Sequence, residues 1–256
     1  MDVANKGFLV TGGASGLGAA VAEVLVEQGA GVVIADANAN TARETTDRLG
    51  VRARMAHTDV SDAASLQAAI DLTVEQFGGL HGLVGCAGIV NGGRVVDKNR
   101  EPFPLEAFEQ AVSVNLIGAF NAVRLAAAAM AANAPNIEGE RGVIVNTASI
   151  AADDGQIGQC AYAASKAGVA GMTLPLARDL ARYGIRVVTI APGVFDTPMM
   201  QDMPDKLRQS LSEQTPFPPR LGRPREFADM ALHAVHNTML NGEVIRLDGA
   251  IRMAAR

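Results

Sequence analysis

Tyr162 and Lys166 stand four positions apart in Ala161-Tyr162-Ala163-Ala164-Ser165-Lys166. On a helix that spacing puts both side chains on one face, so an ammonium lies near a phenol. Free tyrosine titrates near ~10, and a nearby positive charge favours the phenolate. A phenol tuned in this way could take a proton from an alcohol, or give one to a carbonyl, near neutral pH. Ser149 follows an apolar run at residues 142–147, and its hydroxyl could hold a substrate oxygen against Tyr162. Asn115 falls in a helical stretch. Each of these residues also has a plain reading: an exposed pair on a helix, a strand-end serine making a local turn bond, and a polar residue bending a helix.

A second cluster could bind a dinucleotide. Thr11-Gly12-Gly13-Ala14-Ser15-Gly16-Leu17-Gly18 links an N-terminal apolar run to a helical stretch. A pyrophosphate needs backbone N–H groups at a helix N-terminus with no side chains in the way. Glycines at 12, 16 and 18 suit a tight turn, close approach and close helix packing, although the spacing is G-x-x-x-G-x-G and not the commoner G-x-G-x-x-G. Asp36 ends the second apolar run, where a carboxylate can accept hydrogen bonds from ribose hydroxyls. It would repel a 2′-phosphate, and no Lys or Arg lies in the glycine turn or beside Asp36 to offset it. NAD is therefore favoured over NADP.

The elements that must position these groups alternate. Strands are expected over 7–11, 31–35, 52–57, 82–86, 142–147, 185–191 and 243–247. Helices are expected over 18–28, 41–49, 63–77, 105–132 with a break or bend, 160–183 and 227–237. Runs such as Val32-Val33-Ile34 and Val143-Ile144-Val145 are apolar without alternation, as in strands buried on both faces. The pattern predicts a doubly wound α/β fold of the Rossmann kind, with a mainly parallel sheet and helices on both faces. No composition break divides residues 1–256, so a single domain is expected. Three stretches interrupt the alternation: 91–104, 133–141 and 195–225. The last carries Pro198, Pro204, Pro216, Pro218, Pro219 and Pro224. The first and last follow strands, and so lie on the side where open α/β sheets bind ligands.

Composition narrows the function classes. Of 256 residues, 48% are hydrophobic and the net charge is -5, which suits a globular chain and gives no basic footprint for nucleic acid. Cys86 and Cys160 have no paired spacing, so neither a disulfide framework nor a zinc site is indicated. The apolar stretch near 118–132 is interrupted by Asn121 and Arg124 and reads as too short to cross a bilayer. His233 and His236 read as a solvated pair, since metal ligation needs further ligands. Asp153 and Asp154 read as a solvated loop.

Residues 11–18 with Asn115, Ser149, Tyr162 and Lys166 resemble the glycine motif and Asn-Ser-Tyr-Lys tetrad of the short-chain dehydrogenases/reductases. The 13-position interval from Ser149 to Tyr162 is the family's usual one. The resemblance covers nearly the whole chain and implies an oxidoreductase that is a homotetramer. It further implies that Ser15 and Leu17 meet the pyrophosphate and that Asp59, Val60 and Cys86, with Ala87 and Gly88, line the adenosine side. Phe195 and Thr197 would hold the nicotinamide carboxamide, Lys166 the nicotinamide ribose, and Asn115 a water relay to Lys166. Many members read Asn-Asn-Ala-Gly where this chain has Gly85-Cys86-Ala87-Gly88.

Within the family, Gly171-Met172-Thr173-Leu174-Pro175, Ile190-Ala191-Pro192-Gly193-Val194-Phe195 and Asn241-Gly242-Glu243-Val244-Ile245-Arg246-Leu247-Asp248-Gly249-Ala250-Ile251-Arg252-Met253 resemble the branch that acts on 3-hydroxyacyl-CoA thioesters. That implies hydride transfer between NAD and the C3 position in fatty-acid or branched-chain acyl-CoA degradation. A hydroxysteroid or other secondary alcohol is the alternative substrate, and a non-catalytic NAD-binding scaffold is the alternative class. Gln156 and Gln159 lie close enough to Tyr162 in sequence to touch substrate. Arg94, Lys98 and Arg100 could attract the phosphates of coenzyme A, or simply be a charged surface loop. With the opening Met1-Asp2-Val3-Ala4-Asn5-Lys6 leaving no room for an import sequence, a cytoplasmic location, away from membranes, is expected.

Overall fold

The computed structural model describes residues 1–201 and 205–255; Pro204, one of the prolines of the 195–225 stretch, lies outside the described residues. Seven strands form one sheet in the order β3-β2-β1-β4-β5-β6-β7. They are β1 Gly7–Thr11, β2 Gly31–Asp36, β3 Ala53–His57, β4 Gly82–Gly85, β5 Gly142–Thr147, β6 Ile185–Pro192 and β7 Val244–Leu247. Every pairing is parallel. The strand order reverses direction beside β1, whose Thr11 pairs with Ala35 on one side and Gly85 on the other. This reversal opens a crevice at the carboxyl ends of the strands, the place where such sheets bind ligands.

Both faces of the sheet are covered, which explains the unalternating apolar strands. Phe8, Val10 and Ile34 face one core with Val21 and Leu25 of α1 (Gly16–Glu27) and Phe227 of α9 (Pro224–His236). Leu9, Val33 and Ile144 face the other core with Leu66 and Ile70 of α3 (Ala63–Phe77) and Val123 and Met130 of α5 (Gly118–Ala131). Neighbouring residues on one strand thus enter opposite cores, as the two-residue repeat of a strand requires.

The break expected within 105–132 is a π-helical turn, Ser113–Ile117, between α4 (Leu105–Val112) and α5. The helical run is nonetheless continuous over Leu105–Ala131 and, by length and composition, long and apolar enough to cross a membrane. This corrects the expectation that it is too short. Its Ala122, Val123, Ala126 and Met130 are buried against the sheet. The stretch 195–225 also departs from expectation, because it contains α7 (Pro198–Gln201) and α8 (Asp205–Glu213). Two of its prolines sit where helices tolerate them: Pro198 and Pro224 are the first residues of α7 and α9, where a missing N–H costs nothing.

The buried Arg186 of β6 ties the end of α9 to the sheet. Its Nε lies 2.8 Å from Glu140 Oε1, and its terminal nitrogens donate to the carbonyls of Ala234, Val235, Asn237 and Leu240 at 2.8–3.2 Å. A helix leaves its last carbonyls without intrahelical partners; here one guanidinium supplies them.

Candidate functional site

The crevice is a cleft of about 810 Å³. One end is built by the glycine turn. Gly12 has φ +64°, and a Cβ there would fall 2.6 Å from Ala87 N; a side chain is excluded on both counts. Gly16, also left-handed at φ +53°, starts α1 with Ser15 at its N-cap position. Asp36 closes β2 and binds the turn back: Oδ2 accepts from Ala14 N at 3.0 Å and Oδ1 from Asn38 N at 2.9 Å. An ionised carboxylate has about four acceptor positions, so Asp36 keeps capacity for a ligand. Backbone N–H groups at a helix start, free of side chains and with a carboxylate beyond, fit the phosphates and ribose of a dinucleotide.

Catalytic candidates meet at the other end. β5 ends at Thr147, and Ser149 caps the short 3-10 turn Ile150–Ala152 by accepting from Ala151 N at 3.1 Å. α6 (Cys160–Leu180) carries Tyr162 and Lys166 one turn apart, with Lys166 Nζ 5.9 Å from the centre of the Tyr162 ring. Ser149, Tyr162 and Lys166 all line the cleft. Burial pushes the Tyr162 phenol above its ordinary range, and the Ser149 hydroxyl, hydrogen-bonded to it, pulls it back. The phenol thus stands above its ordinary range, not below it as the Lys166 spacing led one to expect. Lys166 is 5% exposed; it donates to Thr147 O at 2.8 Å, and burial brings its ammonium down to about 8. Cys86, beside it, is pushed up to about 11 by burial, against a hydrogen bond from Thr147 and the Lys166 charge. Its thiol stays protonated at neutral pH and is a poor nucleophile.

Asn115 lies in the π turn and is 1% exposed. It does not line the main cleft. Its Oδ1 accepts from Ile89 N at 2.8 Å, and its Nδ2 donates to Ile89 O at 2.9 Å and Ser165 Oγ at 3.0 Å. The amide thus clamps the segment after β4 to α6, one residue from Lys166. π turns of this kind recur at functional sites, but the local sequence carries no signal for one. Gly88 lies between the two, since a Cβ there would come within 3.2 Å of Asn115 Oδ1 and 3.4 Å of Lys166 Nζ.

The remaining sequence candidates also reach the cleft: Gly18, Leu17, Asp59, Val60, Phe195, Thr197, Gln156 and Gln159. Two hydrogen bonds from Ser61 occupy the Asp59 carboxylate and hold it below its usual value. Gln156 and Gln159 bond each other. Sequence reasoning missed Val194, Met200, Leu211 and Met253, which also line the cleft. Val194 follows β6 at the ligand edge and could have been inferred; Met253 has no local signal. Asp153 is exposed, as expected of a solvated loop, but Asp154 is not: its side chain is 16% exposed and paired with Arg246 at 2.7 Å. Arg94, Lys98 and Arg100 are exposed on the 91–104 loop, which Gly93 ties to Gly158 through a 2.8 Å backbone bond. The buried Asn146 Nδ2 has no partner among the described residues. His233 bonds Asn237. Among the described residues no group of three or more His, Cys, Asp or Glu could hold a metal ion.

The Lys166 environment gives a stability test. Unfolded, its ammonium keeps its proton to 10.5; folded, only to about 8. Between these values the unfolded chain binds more protons, so stability rises with pH. Below about 8 both states are charged and the full cost of burying the ammonium is present. Measured by chemical denaturation, wild type should gain about 3 kcal/mol on Lys166→Met between pH 7 and pH 11. A pH-independent difference between the two would show that the ammonium is not desolvated.

The short chain dehydrogenase family profile matches residues 6–208. Bovine 3-hydroxyacyl-CoA dehydrogenase type-2 is 51% identical over 96% of this chain and 94% of its own. The Drosophila melanogaster protein of the same name is 49% identical over 98% and 99%. The crystal structure of 3-hydroxyacyl-CoA dehydrogenase type-2 from Mycobacterium avium superposes with a TM-score of 0.95 at 44% identity, covering 98% of each chain. The chain belongs to the short-chain dehydrogenase family. It is an oxidoreductase with a nicotinamide dinucleotide cofactor and a small-molecule substrate.

Proposed function

We propose that this enzyme reversibly oxidises a 3-hydroxyacyl-CoA to a 3-oxoacyl-CoA with NAD. The observation that carries the substrate is the near-half identity, over almost the whole chain, to relatives named for that activity. The observation that favours NAD is Asp36 in the cleft with no cation beside it in sequence. When bound, the nicotinamide supplies the hydride acceptor. Ser149 holds the reacting oxygen, and Tyr162 takes its proton as the alcohol becomes a ketone, or returns it in the reverse direction. Lys166 keeps a positive charge at the site below about pH 8, which favours a negative charge nearby, and would hold the nicotinamide ribose. Asn115 fixes α6, and the water relay expected of it would run along that face. Ser15, Gly16 and Leu17 would receive the pyrophosphate, Asp59, Val60, Cys86 and Ala87 would flank the adenosine, and Phe195 and Thr197 would hold the carboxamide; all of them line the cleft.

NADH oxidation with acetoacetyl-CoA, set beside a ketosteroid, tests the substrate. The thioester should be reduced with the higher kcat/KM, and a faster ketosteroid reaction would transfer the assignment to the secondary-alcohol alternative. For the cofactor, Asp36→Asn keeps the acceptor for Ala14 N but removes the charge. The kcat/KM ratio of NADH to NADPH should fall about tenfold, equivalent to about 1.4 kcal/mol; an unchanged ratio would place the discrimination elsewhere. The exposed Ile117, Phe120 and Leu174 support the homotetramer.

A further inference from the structure

The end of the chain returns to the mouth of the cleft. Beyond β7, Ile251 is fully buried, and Met253 lines the cleft, as do Gln156, Gln159 and Leu211. Two bonds fasten this tail to the segment between Ser149 and Tyr162: Ile157 N donates to Ala255 O at 3.1 Å, and Gln156 Nε2 to Ala254 O at 3.0 Å. Arg246 of β7 clasps both sides. It meets Asp154 Oδ2 at 2.7 Å and Asp153 Oδ2 at 3.4 Å on that segment. On the tail side it meets Asp248 Oδ2 at 2.9 Å and Ile251 O at 3.2 Å. The Asp154 and Asp248 side chains are only 16% and 8% exposed, so these pairs are partly shielded from water and hold their geometry better than surface pairs.

We infer that residues 250–255 form the outer wall of the substrate end of the cleft, that Arg246 positions this wall, and that Met253 selects which acyl chains fit. The inference rests on the acyl-CoA reading above. The glycine turn and Asp36 occupy the dinucleotide end of the cleft, whereas Met253 is joined through Gln156 to the segment leading into Tyr162. An unbranched thioether side chain adapts to apolar ligands of different length, so its replacement alters the space offered to the chain beyond C3. Arg246 touches no reacting atom; it acts by keeping the tail and the 153–159 segment together.

The test is kcat/KM with NADH over a series of 3-oxoacyl-CoA substrates from short to long, for wild type, Met253→Phe and Met253→Ala. A methylene in an apolar pocket changes discrimination by roughly tenfold or more. Met253→Phe should therefore lower the long-to-short ratio about tenfold through KM, and Met253→Ala should move it the other way, with NADH affinity unchanged in both. Arg246→Met should raise KM across the series, and Arg246→Lys should recover part of the loss. Chain-length profiles parallel to wild type in both Met253 variants overturn the inference while leaving the acyl-CoA reading intact. A wild type that reduces plain ketones but not thioesters removes that reading, and the wall is then judged by the same ratio on a series of 2-alkanones. A wild type that reduces neither series removes both.

Discussion

Tyr162→Phe is expected to lower turnover by about 10³-fold, within the usual range for loss of a general acid or base, while NADH binding stays near wild type. The substitution keeps the ring beside Lys166 and deletes only the oxygen that Ser149 contacts. The fold has little to lose, since the backbone of α6 is untouched, and with it the 2.7 Å bond that Ser165 Oγ donates to Tyr162 O. Ser149→Ala is a less clean experiment, because Ser149 also caps the turn that follows it. Turnover of Tyr162→Phe above a tenth of wild type, with binding intact, would remove the phenol as proton carrier.

The same residue sets the direction of the pH dependence. Burial raises the phenol, so it is protonated at neutral pH and ready to donate in ketone reduction. Alcohol oxidation needs the phenolate and should climb as pH rises above neutral, while reduction should fall over the same range. Initial rates in both directions at constant ionic strength check this, and parallel profiles for the two directions would contradict it.

Arg186→Met should destabilise the protein by about 3–5 kcal/mol, the usual cost of breaking one side of a buried ion pair. Glu140, 9% exposed, loses its guanidinium partner and keeps the longer, 3.4 Å ion pair with the Met1 ammonium, and the carbonyls of Ala234, Val235, Asn237 and Leu240 lose their donor. The pairing of Arg186 with Val143 across β5 and β6 places this damage at the end of the sheet opposite the cleft. Activity per folded molecule at low temperature should thus survive while the denaturation midpoint drops. Replacing Glu140 by Leu in the same chain should restore part of the loss. A change under about 1 kcal/mol would show that water replaces the guanidinium at little cost.

The parts legible in sequence were those encoded locally. The glycine turn, the Tyr162–Lys166 spacing and the apolar strands each occupy a short window, and the family resemblance joined them correctly. The α/β order followed because strand and helix alternate without exception through β6. What was not legible depended on residues distant in the chain. The desolvation of Lys166 arises from its burial against Thr147 and Cys86, which an i,i+4 rule cannot weigh. The Arg246 pairing with Asp153 and Asp154 spans more than ninety positions, so the two aspartates read as solvated. The prolines of 195–225 suggested continuous loop, although two of them, Pro198 and Pro224, begin α7 and α9. The π turn around Asn115 was visible only as a bend.

The position of β1 has a consequence for synthesis. The strand that ends centrally flanked is the first to leave the ribosome, and it waits for β2 on one edge and β4 on the other. From β4 onward each strand joins the outer edge left by its predecessor, in the order of translation. A nascent or truncated chain that stops short of Val244 therefore presents β6 as an open row of peptide groups, available to any extended segment nearby. Such fragments should self-associate through β6, an edge that β7 covers in the complete sheet.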